Sequence, residues 1–278
     1  MVVRLACRGN SNIKVFYTAH GFHFYKGAPL KNWLIYYPIE KWLSRYTDLL
    51  ITLNKEDFYR ASKFKTKNTR YIPGVGIDIK EIAELEIDKK NKRKELGIPL
   101  DSFVVLSVGE LNDNKNHQVV IKALSLLDIP NVHYVICGQG NNIEYLINLS
   151  KELNVDNRMH FLGYRNDIIE ICKISDVFVF PSKREGLPVS IMEAMANKLP
   201  VVCSNIRGNS DLIENQKGGY LVEPKNVEGF SKYIKRLTED SKLRVEMGEF
   251  NYKKIEVYSI DNVLYQMEDI YKNQGVGV

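Results

Sequence analysis

Three short segments in tandem, Asp176-Val-Phe-Val-Phe180, Gly186-Leu187-Pro188 and Leu199-Pro-Val-Val-Cys203, leave few folds open to this chain. The first is an apolar run of strand length and reads as a buried strand. The second sets a proline where a helix begins, a position whose N–H would go unbonded in any case. The spacing then predicts a helix over 188–197 and another apolar strand over 199–203. Strand, helix and strand in that order make a βαβ unit, the building block of a parallel sheet.

The same alternation starts near Lys92. It predicts strands over 102–108, 132–137 and 158–162 and helices over 117–127, 142–153 and 167–173. The fold class is therefore α/β, with a doubly wound parallel sheet. Charged amphipathic helices over 227–271 and a Gly-Val tail close the chain. Ahead of residue 80 the pattern is sparser: a strand over 13–19, a helix over 31–45, a strand over 48–53 and the turn Ile72-Pro-Gly-Val-Gly-Ile-Asp78. Domains more often have about 100–150 residues, so this first part reads as an incomplete one. The expected organisation is a partial N-terminal domain over 1–80, a Lys- and Glu-rich linker over 81–95 and a complete C-terminal domain over 96–256. A helix returning to the N-terminal domain, with the tail, occupies 257–278.

Composition narrows the function classes. The net charge of +5 is mild and the lysines are spread along the chain, which argues against nucleic acid as a partner. It fits anionic ligands or an acidic membrane face. The four cysteines (Cys7, Cys137, Cys172 and Cys203) form no C-x-x-C pair, and three lie in or beside apolar runs, as reduced thiols of a cytoplasmic protein do. No apolar stretch reaches the roughly 18 residues of a membrane span, so membrane association would be peripheral, at the inner face.

The chemistry concentrates after two strands. Glu185 lies on the strand-to-helix loop, and Glu193 follows after seven residues, inside the helix. A helix N-terminus attracts anions through its free N–H groups and dipole. Two carboxylates flanking it suit a ligand with phosphate in the middle and hydroxyls at both ends, such as a nucleotide sugar. The bland alternative is a helix-capping Glu185 and a solvated Glu193. Against that, Ile191, Met192, Ala194, Met195 and Ala196 leave little of the helix as a solvated face, and a charge there needs a partner or a ligand. Lys115, in Val108-Gly-Glu-Leu-Asn-Asp-Asn-Lys-Asn-His117, either meets a phosphate before the next helix or is an exposed loop lysine. Gly138-Gln-Gly140 lacks the third glycine of a dinucleotide fingerprint and alone is only a turn. His20 and His23 lack the further ligands of a metal site.

Taken together, SVGELNDNKNH, ICGQG, HFLGYRND, SDVFVFPSKREGLPVSIMEAMANKLPVV and GYLVEP resemble, in their order, the retaining glycosyltransferases of family four. TAHGFHFYKGAP is similar to the capsule and exopolysaccharide members of bacteria. The resemblance implies the GT-B fold: a complete Rossmann-like C-terminal domain and, here, an incomplete Rossmann-like N-terminal one, truncated at its start or completed by a partner chain. It implies transfer of a hexose or N-acetylhexosamine from a UDP sugar to a sugar or lipid-linked acceptor. By the same resemblance Glu185 and His20 face the donor sugar. Glu193 binds ribose, Lys115 the diphosphate, and the loop Gly163-Tyr-Arg165-Asn-Asp167 the base, with Gly186, Leu187 and Pro188 shaping the donor site. Glu110 stands where the family often has an arginine, which removes one phosphate cation. No D-x-D pair occurs, so neither metal nor other cofactor is expected. Two alternatives share these residues: a nucleotide-sugar-binding fragment without catalysis, and a UDP-sugar 2-epimerase.

Overall fold

The computed structural model describes residues 2–10 and 12–273 and divides into two compact units, Met1–Gly76 with Ile260–Val278, and Ile77–Ser259. In the first unit the order is α1 (Val2–Ala6), β1 (Phe16–Ala19), α2 (Leu30–Leu43), β2 (Leu49–Thr52), α3 (Lys55–Ala61) and β3 (Asn68–Tyr71). The three strands form a parallel sheet in chain order. Leu50 turns to a cluster with Phe22, Phe24 and Phe64, while Leu49 and Ile51 turn to the opposite face. There they meet Val263 and Ile270 of the chain's last helix (Ile260–Asn273), which belongs to this unit.

The second unit opens with α4 (Ile79–Glu84) and α5 (Lys89–Glu95). The stretch read from sequence as a linker over 81–95 thus carries helical structure. Asp78 and Asp88 cap the two helices through side-chain oxygens, and Ile79 and Ile82 are buried in the unit's core. There follow β4 (Phe103–Val108), α6 (Gln118–Ser125), β5 (Val132–Cys137), α7 (Ile143–Glu152), β6 (Met159–Gly163) and α8 (Ile168–Lys173). Then come β7 (Val177–Phe180), α9 (Val189–Ala196), β8 (Val201–Ser204), α10 (Asn209–Leu212), β9 (Gly219–Val222), α11 (Val227–Glu239) and α12 (Ser241–Ile255). The final helix is α13.

All six strands of this sheet run parallel in the order β6-β5-β4-β7-β8-β9. Both faces are covered, which explains the unbroken apolar runs: Phe178 and Phe180 enter one core cluster, Val177 and Val179 the other. The chain builds outward from β4 to β6 and then returns to place β7 on β4's other side. That reversal is a topological switch point, where the loops leaving two adjacent strands diverge and open a crevice at their carboxyl ends. The loops that leave β4 and β7 carry Lys115 and Glu185.

Besides α4 and α5, the sequence reading omits α3, β3, α10 and β9. Asn68-Thr-Arg-Tyr71 is polar because β3 is an edge strand whose residues alternate between exposed and half-buried. The Gly-Val tail lies outside the described residues.

Candidate active site

Lys115 and Glu185 meet across the switch point. Lys115 Nζ donates to Glu185 Oε1 at 2.7 Å and stands 4.8 Å from the centroid of the Phe180 ring. Gly109 makes room for the lysine stem: a Cβ there would come within 3.2 Å of Lys115 Cδ. Asn112 sets the loop, because its Oδ1 accepts the main-chain N–H groups of Asn114 and Lys115, both at 3.0 Å. Asn116 has φ +59°, a left-handed conformation that asparagine tolerates. Its buried Nδ2 donates to Pro181 O (3.0 Å) and Pro224 O (2.8 Å), which fastens the β4 loop to two others. Asn114 adds two more ties, giving Nδ2 to Arg184 O and taking the Lys183 N–H on its carbonyl. Sequence reasoning missed Asn112, Asn114 and Asn116; the signal was three asparagines in five residues directly after a strand.

Behind this loop, His117 is buried, with Nδ1 3.2 Å from Tyr134 Oη, and Tyr134 donates to Ser107 Oγ at 2.8 Å. Burial first, and the Lys115 ammonium second, lower the His117 pKa to about 4, so the ring is neutral at neutral pH. Gly138 and Gly140 are more than a turn. A Cβ at Gly138 would stand 1.9 Å from Gly109 O, and one at Gly140 2.4 Å from Leu111 O. Only glycine lets the β5 loop run this close under the β4 loop.

On the other side of the crevice, Pro188 is the N-cap of α9 and supplies no side-chain cap to the helix. Leu187 packs on the core, and Gly186 O lies against Gly208 of the loop after β8. Glu193 is half-buried in α9 among buried Met192 and Ala194. Burial raises its pKa, and among the described residues no side chain pairs with its carboxylate. Of the residues singled out from sequence, this unit pairs Lys115 with Glu185 and sets Gly186, Leu187 and Pro188 directly after it at the head of α9; Glu193 lies on that helix, and Glu110 is exposed at the head of the Lys115 loop.

Arg165 is differently placed. Its Nε donates to Asp167 Oδ1 at 2.7 Å and its Nη2 to Asp167 Oδ2 and Glu95, so its charge is matched inside the protein. Lys92 Nζ joins the group through Asp167, Glu170 (2.7 Å) and Glu95 (3.3 Å). Arg165's hydrogen bonds, with those of Lys92, hold Asp167 well below the usual carboxylate range. His20 is exposed on the loop after β1 in the other unit. That loop is anchored where Phe22 N–H donates to the buried Asp57 at 3.0 Å.

The family described as glycosyl transferases group 1 matches residues 88–254, which span the whole six-stranded sheet with its two crevice loops. The chain belongs to this family. As a group 1 glycosyl transferase it is similar to EpsD of Bacillus subtilis (strain 168), named as a glycosyltransferase, at 36% identity over 98% of this chain and 73% of the relative. It is also similar to the UDP-Gal:alpha-D-GlcNAc-diphosphoundecaprenol alpha-1,3-galactosyltransferase of Escherichia coli, at 32% identity over 96% of this chain and 71% of that one. Among solved structures, HepE of Anabaena in complex with UDP and glucose aligns with a TM-score of 0.86 at 21% identity, over 98% of this chain and 75% of that one. The two parallel α/β units are those of the GT-B fold. Among the described residues no helix of this transferase is long and apolar enough to cross a membrane.

Proposed function

We propose that this glycosyltransferase moves a hexose or N-acetylhexosamine from a UDP sugar to a sugar or lipid-linked acceptor, with retention, in the assembly of a bacterial surface polysaccharide. The observation that carries the reading is the Lys115–Glu185 pair at the switch point, ahead of the helix that holds the half-buried Glu193, whose carboxylate pairs with no side chain among the described residues. A nucleoside diphosphate sugar answers each feature. Its phosphates take the Lys115 ammonium and the α9 N-terminus, its ribose hydroxyls donate to Glu193, and its sugar hydroxyls to Glu185. The main chain of Gly186, Leu187 and Pro188 shapes the site between them, the loop around Arg165 takes the base, and His20 faces the donor sugar.

As the anomeric carbon–oxygen bond breaks, positive charge grows on the sugar and negative charge on the departing diphosphate, where Lys115 stabilises it. The acceptor oxygen bonds to the same face of the sugar, and its proton passes to a diphosphate oxygen. Glu185 positions and stabilises without forming a bond to the sugar. Phosphate charge is met by the protein itself, with no metal or cofactor. The names of the relatives support UDP and a lipid-linked acceptor: the E. coli protein is named for UDP-Gal and a diphosphoundecaprenol sugar, and HepE holds UDP and glucose. Helix α2, which exposes Leu34, Ile35 and Trp42 beside Lys31 and Lys41, suits work at the cytoplasmic membrane face.

The test is product analysis by NMR after incubation with UDP sugars and lipid-linked acceptor sugars. An α-linked product with release of UDP is expected from an α-linked donor. An inverted linkage would overturn retention. UDP binding without transfer to any acceptor would favour a binding fragment, and a 2-epimer formed without acceptor would favour the epimerase.

A further inference from the structure

A cavity of about 680 Å³ opens at the rim of the six-stranded sheet opposite the crevice. Ser175 and Asp176, directly ahead of β7, and Leu199 and Pro200, directly ahead of β8, line it, so it sits at the amino ends of the strands. Its floor is apolar, with Ile87, Leu199 and Tyr252 continuing the unit's core. Helix α9 runs from one rim to the other. Pro188 caps it three residues after Glu185, and Ala196 and Asn197 at its far end line the cavity.

Four cations line this cavity: Lys89, Lys173, Lys198 and Arg244. Lys198 is already paired, with Glu249 at 2.8 Å. Arg244 gives Nη1 to the main-chain oxygens of Leu237 and Thr238 and meets no carboxylate among the described residues. The ammonium groups of Lys89 and Lys173 have neither a hydrogen bond nor an ion pair among the described residues. Lys173 is half-buried, and burial first and Lys89 second lower its pKa, so the two lysines stand close enough to repel. The dipole of α8 favours a cation in its last turn, where Lys173 lies, but Lys89 opens α5, where a helix dipole opposes one. Of the two carboxylates in the lining, Asp176 accepts from Val104 N–H at 2.8 Å and from Arg93 Nη2 at 3.4 Å, which leaves exposed Glu86. Like charges held together, one of them half-buried, cost stability that an anion returns. Three cations without a carboxylate against one free carboxylate suit a dianion, and the apolar floor suits a body attached to it. An adjoining cavity of about 310 Å³ shares both lysines and adds Lys90.

We infer that this cavity is a second ligand site, for a small organic phosphate whose dianionic group meets Lys89, Lys173 and Arg244 and whose apolar body lies on Ile87, Leu199 and Tyr252. It is separate from the crevice and shares no residue with the Lys115–Glu185 pair; the two bear on opposite ends of α9. Phenyl phosphate, inorganic phosphate and phenol are titrated calorimetrically into the whole chain and into Lys173→Gln, Lys89→Gln, Lys198→Gln and Lys115→Ala. Phenyl phosphate is expected to bind more tightly than inorganic phosphate, and phenol about tenfold more weakly or worse. Lys173→Gln should weaken phenyl phosphate about tenfold or more and Lys89→Gln about threefold or more. Lys198→Gln, whose charge is met by Glu249, and Lys115→Ala should stay within about twofold of the parent. Without ligand, Lys173→Gln should melt no lower than the parent, because it removes a repulsion, so its loss of binding is not a loss of fold. Binding that Lys115→Ala abolishes and Lys173→Gln keeps would place phenyl phosphate in the crevice and overturn the second site. Absence of binding, or binding that Lys173→Gln and Lys89→Gln both leave unchanged, would overturn it as well. Inorganic phosphate binding as tightly as phenyl phosphate would overturn the assigned ligand class.

Discussion

Two charged groups gather about the loops at the carboxyl ends of the same sheet and the helices beside them, and they are built to opposite purposes. In the network of Lys92, Arg165, Asp167, Glu170 and Glu95, each charge has a counter-charge within bonding distance, and Asp167 takes both cations. At the β4 and β7 loops Lys115 has one carboxylate, and in the helix that follows, half-buried Glu193 has no partner among the described residues. A satisfied network adds rigidity, whereas an unpaired half-buried charge costs stability that only a ligand returns. The contrast teaches where to look for binding: at the place where the protein leaves its own electrostatics unfinished.

Substitutions should separate the two groups. The largest stability effect is expected from Asp167→Ala, which removes the carboxylate that two cations share. It should lower unfolding free energy by about 2 kcal/mol, below the roughly 3–5 kcal/mol of a fully buried pair because solvent still reaches this one. Denaturant melts check it. The pH dependence carries the sign. Asp167 is held below its ordinary pKa, so its contribution is complete above about pH 4 and is lost as the pH falls further toward its folded value. The parent's stability should fall through that range more steeply than the variant's. A smaller effect of opposite character is expected from Glu193→Gln: UDP affinity about tenfold weaker, or about 1.4 kcal/mol, with the melting temperature unchanged or slightly raised. A destabilised Glu193→Gln protein that binds UDP normally would erase the distinction between the two regions.

The sheet was legible because burial on both faces forces apolar runs such as Val177-Phe-Val-Phe180, and helix starts announce themselves, as at Gly186-Leu187-Pro188. Residues 81–95 read as a linker because their charges mask buried Ile82, which with Ile79 just ahead of the stretch holds α4 down. At the site, Glu185 and Lys115 were visible as polar residues following strands, and Glu193 as a charge on a largely apolar helix. The hydrogen bond from Arg207 Nε to the Glu185 main-chain oxygen was not, because it exists only once β7 and β8 lie side by side. The asparagines that shape the Lys115 loop act through main-chain geometry, and a hydropathy pattern carries no trace of it. Arg165 was legible as a polar loop residue, but its bidentate bond to Asp167 was not.

The central claim is that Glu185 serves the reacting sugar while the nucleotide is held by other groups. Transfer rate and UDP affinity should be measured side by side for the parent and Glu185→Ala. Transfer is expected to fall about a thousandfold or more, as when a transition-state contact of about 4 kcal/mol is removed, with UDP affinity within about threefold of the parent. Loss of UDP affinity in the same proportion as activity would contradict that division of labour.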